Sequence, residues 1–112
     1  MSISADLLRG YTDTILLRQL AEGDSYGYQI NHAISELSHG SLELKEATLY
    51  TAFRRLEAGG YIRSYWGDEN SGARRRYYTL TDLGSLKLEE DRRTWKETRI
   101  LLDMLVGGPE YE

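Results

Sequence analysis

The chain has 112 residues, with 14 Lys and Arg against 18 Asp and Glu, a net charge of -4, and 40% hydrophobic residues. That is enough for one domain with a self-sufficient core and an appended helix. There is no cysteine, which excludes disulfides, thiolate metal sites and thiol nucleophiles, and no apolar run is long enough to span a membrane.

The N-terminal MSISADLLRG lacks a basic segment ahead of an apolar stretch, so no secretory leader is expected and a cytoplasmic location is. Residues 5–23 read as a helix. Leu8, Tyr11 and Ile15, flanked by Leu16, Leu17 and Leu20, recur at three- and four-residue steps, and Gly23-Asp24 ends the pattern. A second helix is predicted over 24–40, capped by Asp24 or Ser25. Its stripe is Tyr26, Ile30, Ala33, Ile34 and Leu37, and its left-handed stop is Gly40. Gly27 in its first turn costs about 1 kcal/mol relative to alanine, which predicts close approach by a neighbouring helix.

The third helix, 45–61, buries Leu49, Ala52, Phe53 and Leu56 within about 100° of one another. It turns Ala47, Thr48, Tyr50, Thr51, Arg54 and Arg55 outward or to the flanks. Gly59-Gly60 stops it. The period then changes. Two β-prone runs in 61–81 flank the turn-forming GDENSGA, a hairpin with a long tip. Alternation puts Arg76, Tyr78 and Leu80 on one face and Arg75, Tyr77 and Thr79 on the other. Tyr78, Leu80 and Ile62 are expected to cover the core, and Trp66 to anchor the hairpin. A fourth helix, 82–106, is capped by Thr81 and ended by Gly107, Gly108 and Pro109. At 1.5 Å per residue it is about 37 Å long. Leu88, Trp95 and Leu102 recur every seven residues, with Thr98 and Leu105 alongside, a coiled-coil-like seam that needs a partner.

Three helices, a hairpin and a further helix make a winged helix-turn-helix, mainly α with minor β. It divides into a DNA-binding domain at 1–81, a dimerisation helix at 82–106 and a tail at 107–112. In this arrangement the third helix enters the major groove and the hairpin reaches the flanking backbone. The charge agrees. Residues 1–44 hold two cations and six anions, residues 45–81 seven and four, and residues 82–112 five and eight. A basic middle between acidic flanks fits a polyanion met by one surface, or a solvated face. Guanidinium pairs with phosphate in a planar, two-pronged way, so Arg74-Arg75-Arg76 at the wing is expected to meet DNA, with two of the three in reach. The DNA-facing set is Thr48, Tyr50, Thr51, Arg54, Arg55, Arg74, Arg75, Arg76 and Tyr77. Tyr50 has a packing alternative against the second helix.

An enzyme is not expected. His32 and His39 are seven residues apart on one helical face, about 10.5 Å, too far for one metal ion. Glu89-Glu90-Asp91 reads as an exposed helix face. No nucleophilic triad or nucleotide loop is present, and no cofactor is implied.

YGYQI (26–30), ATLYTAFRRLEAGGYIRSYW (47–66) and RRRYYTLTDLG (74–84) resemble the PadR family of bacterial transcriptional regulators. Its marks are Gly27-Tyr28, Leu49-Tyr50, Arg55-Leu56-Glu57 before Gly60, Trp66, and Tyr77 through Gly84. The single C-terminal helix matches the small subgroup. The resemblance implies a repressor on a double-stranded operator and a homodimer sharing Leu88, Trp95, Leu102 and Leu105. In drug-responsive members it further implies a central pore whose tryptophans stack planar aromatic molecules. Trp95 matches that position, with Leu8, Asp13, Asp91, Arg92 and Arg99 as its expected neighbours. Interface packing is the competing role for Trp95. The Arg92/Lys96/Arg99 cluster favours neutral or anionic aromatics, or a closed pore. The alternatives are a ligand-independent regulator, or a winged-helix protein-interaction module that binds no DNA.

Overall fold

The computed structural model describes residues 8–67 and 74–110. After a 3-10 turn at Arg9–Tyr11, helix α1 runs over Thr12–Ala21. The predicted apolar pattern divides between two faces. Leu16, Leu17 and Leu20 are buried in the core, whereas Leu8, Tyr11 and Ile15 are only partly covered. The chain then makes a two-residue strand, β1 (Ser25–Tyr26), before α2 (Gly27–Leu37). Neither Asp24 nor Ser25 caps this helix. Its first residues are preceded by extended Tyr26, without a side-chain cap. Asp24 accepts from the Tyr65 hydroxyl at 2.6 Å and Ser25 donates to Gln29 Oε1 at 2.6 Å. Ile30 and Ile34 enter the core, but Leu37, at the helix end, is exposed. The backbone is left-handed at His39 (φ 52°) as well as at Gly40 (φ 79°), so the helix stops earlier than the stripe suggested.

The connection from α2 to α3 (Glu46–Ala58) is held by two side chains, Ser38 and Asn31. Ser38 Oγ accepts from the Leu42 amide at 3.0 Å. Asn31 donates through Nδ2 to the Leu44 carbonyl at 2.7 Å and accepts from the Leu44 amide at 3.0 Å. The two hydrogen bonds, both to the backbone of Leu44, fix the turn while Leu42 and Leu44 bury. Leu49, Ala52, Phe53 and Leu56 of α3 are all buried, as their spacing predicts. Gly27 does mark a close approach. A side chain there would collide with the Tyr50 ring and hydroxyl.

Strands β2 (Ile62–Trp66) and β3 (Arg76–Leu80) pair antiparallel from Ile62↔Leu80 to Trp66↔Arg76. β3 also pairs with β1, Ser25↔Tyr78 and Tyr26↔Tyr77, so the expected two-stranded hairpin is a three-stranded sheet in the order β1-β3-β2. The Gly67 amide continues the ladder to the Arg75 carbonyl at 2.7 Å. The rest of the predicted GDENSGA tip lies outside the described residues. Tyr78 and Ile62 are buried and Leu80 is partly so. Tyr78 stacks on Phe53 with centroids 4.0 Å apart, which ties the sheet to α3.

Helix α4 spans Asp82–Val106, the predicted bounds. Thr81 caps it as expected, accepting from the Gly84 amide at 3.0 Å and donating to the Gly60 carbonyl at 2.7 Å. Its first turns join the head of the molecule, because Gly84 and Leu88 are buried. Beyond Trp95 no described residue buries its apolar side. Leu102 and Leu105 are exposed, with Ile100, Leu101, Met104 and Val106. No helix among the described residues is long and apolar enough to cross a membrane.

Gly84 lies against the Tyr61 carbonyl, and Tyr61 is itself held by the Thr81 amide. A methyl group at 84 would meet backbone that has no room to move. Gly84→Ala is therefore expected to destabilise the fold by about 1–3 kcal/mol or more. This is read as a lower urea midpoint with an unchanged m value.

Candidate nucleic-acid interface

The outward face of α3 is polar and accessible. Thr48, Thr51, Arg54 and Arg55 are exposed, together with Glu46 and Ala47. Arg54 donates to the Thr51 hydroxyl at 3.2 Å, so both lie along one strip of the helix. Arg55 is different. Its Nε and Nη2 grip the Asp13 carboxylate at 3.1 and 2.5 Å, a two-pronged ion pair between α3 and α1. The bond from Asp13 raises the Arg55 pKa further. Arg55 is thus engaged in positioning the helix rather than presented alone to solvent. Tyr50 takes the packing position. Its hydroxyl lies over Gly27 and its ring meets Phe53 edge-on at 5.7 Å, with part of the ring still accessible.

The wing arginines separate as strand alternation requires. Arg76 donates to Ser64 Oγ at 2.7 Å and pairs with Glu57 of α3 at 3.6 Å. Arg74 and Arg76 both lie over the Trp66 ring, their guanidinium carbons 4.8 and 5.8 Å from its centroid. Arg75 is on the opposite side, 4.9 Å from the centroid of Tyr26. Tyr77 belongs to that opposite side too, stacked on Tyr65 at 5.7 Å and edge-on to Tyr26 at 5.3 Å. Tyr26, Tyr77 and Tyr65 therefore form an aromatic row across the three strands. Trp66 is not the buried anchor that the sequence suggested. α3 covers this face of the sheet through the Phe53–Tyr78 stack and the Ser64–Glu57 bond, and Trp66, two residues further along β2, remains 52% exposed.

A second site lies between α1 and α4. It is a mainly apolar groove of about 470 Å³ lined by Leu8, Tyr11, Ile15, Leu37, Leu88 and Trp95, with Arg18 and Arg92 as its charged residues. Trp95 is 45% exposed, and Arg99 covers its ring at 4.8 Å. Leu8 and Arg92 line the groove as the sequence reading expected, but Asp13 and Asp91 do not. Asp13 is on Arg55, while Asp91 accepts from Thr14 Oγ1 at 2.8 Å and pairs with Lys87 at 3.3 Å. Among the described residues the lining has no carboxylate. Leu88 is buried within the same chain, so of the expected seam residues only Trp95, Leu102 and Leu105 present substantial accessible surface. His32 pairs with Glu36 at 3.2 Å, and no His or acidic cluster among the described residues suits a metal ion.

Residues 16–90 match the model of the Transcriptional regulator PadR-like family. The chain belongs to the PadR-like family of transcriptional regulators. This PadR-like chain is similar to a transcriptional regulator from Clostridium thermocellum, at 43% identity and a TM-score of 0.84, over 91% of this chain and 99% of that one. It is also similar to a PadR family transcription regulator from Clostridium difficile, at 35% identity and a TM-score of 0.76, over 88% and 100% of the two chains. An uncharacterised protein of Lysinibacillus sphaericus is 41% identical over 108 residues, 96% of this chain and 99% of that protein. A winged-helix regulator, not an enzyme, is the class these relationships give.

Three contributors escaped sequence reasoning: the Asn31 bracket, the Asp13–Arg55 pair and the Asp24–Tyr65 bond. Each joins residues separated by 13 to 42 positions. The hydrogen bonds from Tyr65, then Thr79, hold the Asp24 carboxyl below its ordinary 3.8. The same bond from Tyr65 to Asp24 raises the Tyr65 phenol above its ordinary 10.0. A lowered carboxyl contributes stability above its unfolded value and loses it as pH falls through the folded one. A raised phenol contributes below its unfolded value and loses it as pH rises. Wild type is therefore expected to be more stable than Asp24→Asn between these limits. The advantage should begin to shrink only as pH falls below the ordinary carboxyl value of 3.8, and vanish once pH is below the lowered folded value, in urea melts taken across pH.

Proposed function

We propose that the protein is a homodimeric repressor that binds a pseudo-palindromic operator. α3 enters the major groove and the wing arginines grip the adjacent backbone. The observation that carries this reading is the continuity of α3 with the wing. Arg76 is bonded to Glu57 of α3, which fixes the wing arginines relative to the exposed Thr48–Thr51–Arg54 strip of the same helix. Thr and Arg suit base edges and phosphates, whereas stacked guanidiniums at a strand end suit phosphates alone. Tyr50, Arg75 and Tyr77 contribute from the flanks. Arg55 contributes through the Asp13 pair, by setting the helix. The second half of α4 supports dimerisation, since Leu102 and Leu105 present an apolar stripe that a second copy would cover. Two half-sites about one helical turn apart, roughly 34 Å, follow from such a pairing.

The groove at Trp95 supports a ligand-responsive regulator. Its walls are mainly apolar, and among the described residues its charged lining is Arg18 and Arg92. The ligand class this favours is a neutral or anionic planar aromatic, seated on the Trp95 ring where Arg99 now lies.

If the dimer neutralises about six to ten phosphates, duplex affinity falls about 10³–10⁵-fold between 50 and 200 mM salt. Replacing Arg74, Arg75 and Arg76 with alanine is expected to weaken all sequences alike, while Thr51→Ala and Arg54→Ala change which sequences are preferred. Fluorescence anisotropy on operator-like and random duplexes checks this. A salt slope near zero, or no random-duplex binding at low salt, would favour a protein-interaction module instead.

An anionic naphthalene dye is expected to quench tryptophan emission, and a cationic dye of similar size to do so only weakly. Quenching by the cation alone would overturn the ligand assignment.

A further inference from the structure

The outward face of α3 carries one residue of the wrong sign for a polyanion. Glu46 is the first residue of the helix and is exposed. Side chains on a helix lean toward its N-terminus, the end whose residues meet base edges when a recognition helix enters the major groove. Glu46 lines a hollow of about 360 Å³ with Ala47, Tyr50, Thr51 and Arg54, part of the strip proposed to read the duplex. On its other side it borders a second hollow, between α2 and α3, that Glu43 and His32 also line. Glu46, Tyr50 and Arg54 follow one another at four-residue steps, so the carboxylate and the guanidinium start about 12 Å apart along the axis, with Tyr50 between them. Arg54 bonds to Thr51 instead. Among the described residues no ion pair or hydrogen bond holds the Glu46 carboxylate.

We propose that Glu46 is a specificity-determining residue, whose carboxylate accepts from the N4 amino group of one cytosine in each half-site. The proposal rests on the DNA-binding reading given above. A carboxylate only accepts hydrogen bonds. The major groove offers two donors, cytosine N4 and adenine N6. The adenine amino group stands beside the N7 acceptor, which repels a carboxylate, whereas no acceptor of the same base flanks the cytosine amino group in the groove. Guanine and thymine present acceptors or a methyl group. Opposite those bases the charge stays uncompensated near the phosphates, so Glu46 discriminates by penalty as well as by contact. An acid in the first turn also sits favourably in the field of the helix end, a stability effect that is the same for every base.

The test selects bound duplexes from a random library with the full-length chain and with Glu46→Gln, Glu46→Ala and Glu43→Gln, followed by anisotropy on the selected sequences. Wild type is expected to enrich cytosine at one position of each half-site, and to bind about tenfold less tightly when that base pair is changed. Glu46→Gln is expected to move the preference there to adenine, whose N6 and N7 a carboxamide matches. It also raises affinity for random duplex about threefold at low salt, because a like charge is removed. Glu46→Ala loses the preference at that position. Glu43→Gln removes a neighbouring charge from the turn before α3 and leaves the selected sequence unchanged.

An identical selected sequence from wild type, Glu46→Gln and Glu46→Ala overturns the proposal while DNA binding stands; a lower urea midpoint alone would leave Glu46 with only its helix-end role. The same change of base from Glu43→Gln, or a responding position that selects a base other than cytosine, overturns it too. If wild type binds no duplex at low salt, the regulator reading fails first and this one with it.

Discussion

The stack of Phe53 on Tyr78 sets the geometry of everything that faces outward. It is the point where α3, the helix proposed to enter the groove, meets the strand that carries the wing. Two rings 4.0 Å apart at 20° leave little freedom of roll between α3 and β3. Once that contact is made, Thr48, Thr51 and Arg54 have only one way to point, and the strand's alternation decides which arginines accompany them. The Glu57 bonds to Ser64 and Arg76 repeat the connection with polar groups one turn further along α3. Apolar burial supplies the holding force, and the polar contacts supply the register.

Much of this was readable from short-range pattern. The α3 core positions and the bounds of α4 follow from periodicity and from Thr81 and Gly107, signals that lie within a turn or two of what they determine. β1 was not readable, because Ser25 and Tyr26 become a strand only when Tyr78 and Tyr77, more than fifty residues later, arrive beside them. Locally the same residues look like the start of a helix. Arg55 shows the same limit at the candidate site. Its place on the helical wheel is exposed, and it is exposed, yet its partner Asp13 is 42 positions away and changes its role. Trp66 failed for another reason. Alternation correctly gives its side of the sheet, but whether anything covers it depends on where α3 ends relative to β2, a tertiary quantity with no local sign.

The three consecutive wing arginines illustrate how a strand distributes one kind of residue between separate tasks. Two stack on an indole next to α3, and the third stacks on Tyr26 at the other face, above the tyrosine row. Identical side chains thus meet different surroundings within about 7 Å of chain. A composition count sees only a charge run, while the pleat makes it a pair and a single.

Asp13 and Thr14 are neighbours on α1, yet they hold different helices: Asp13 grips Arg55 of α3, and Thr14 bonds Asp91 of α4. One helical step, about 100° of arc, separates these two attachments. α1 therefore acts as a spindle between them. Any roll of that spindle that loosens its hold on the long helix also shifts its hold on α3. The wall of the Trp95 groove, formed in part by the same spindle, is mechanically continuous with the surface proposed to meet DNA.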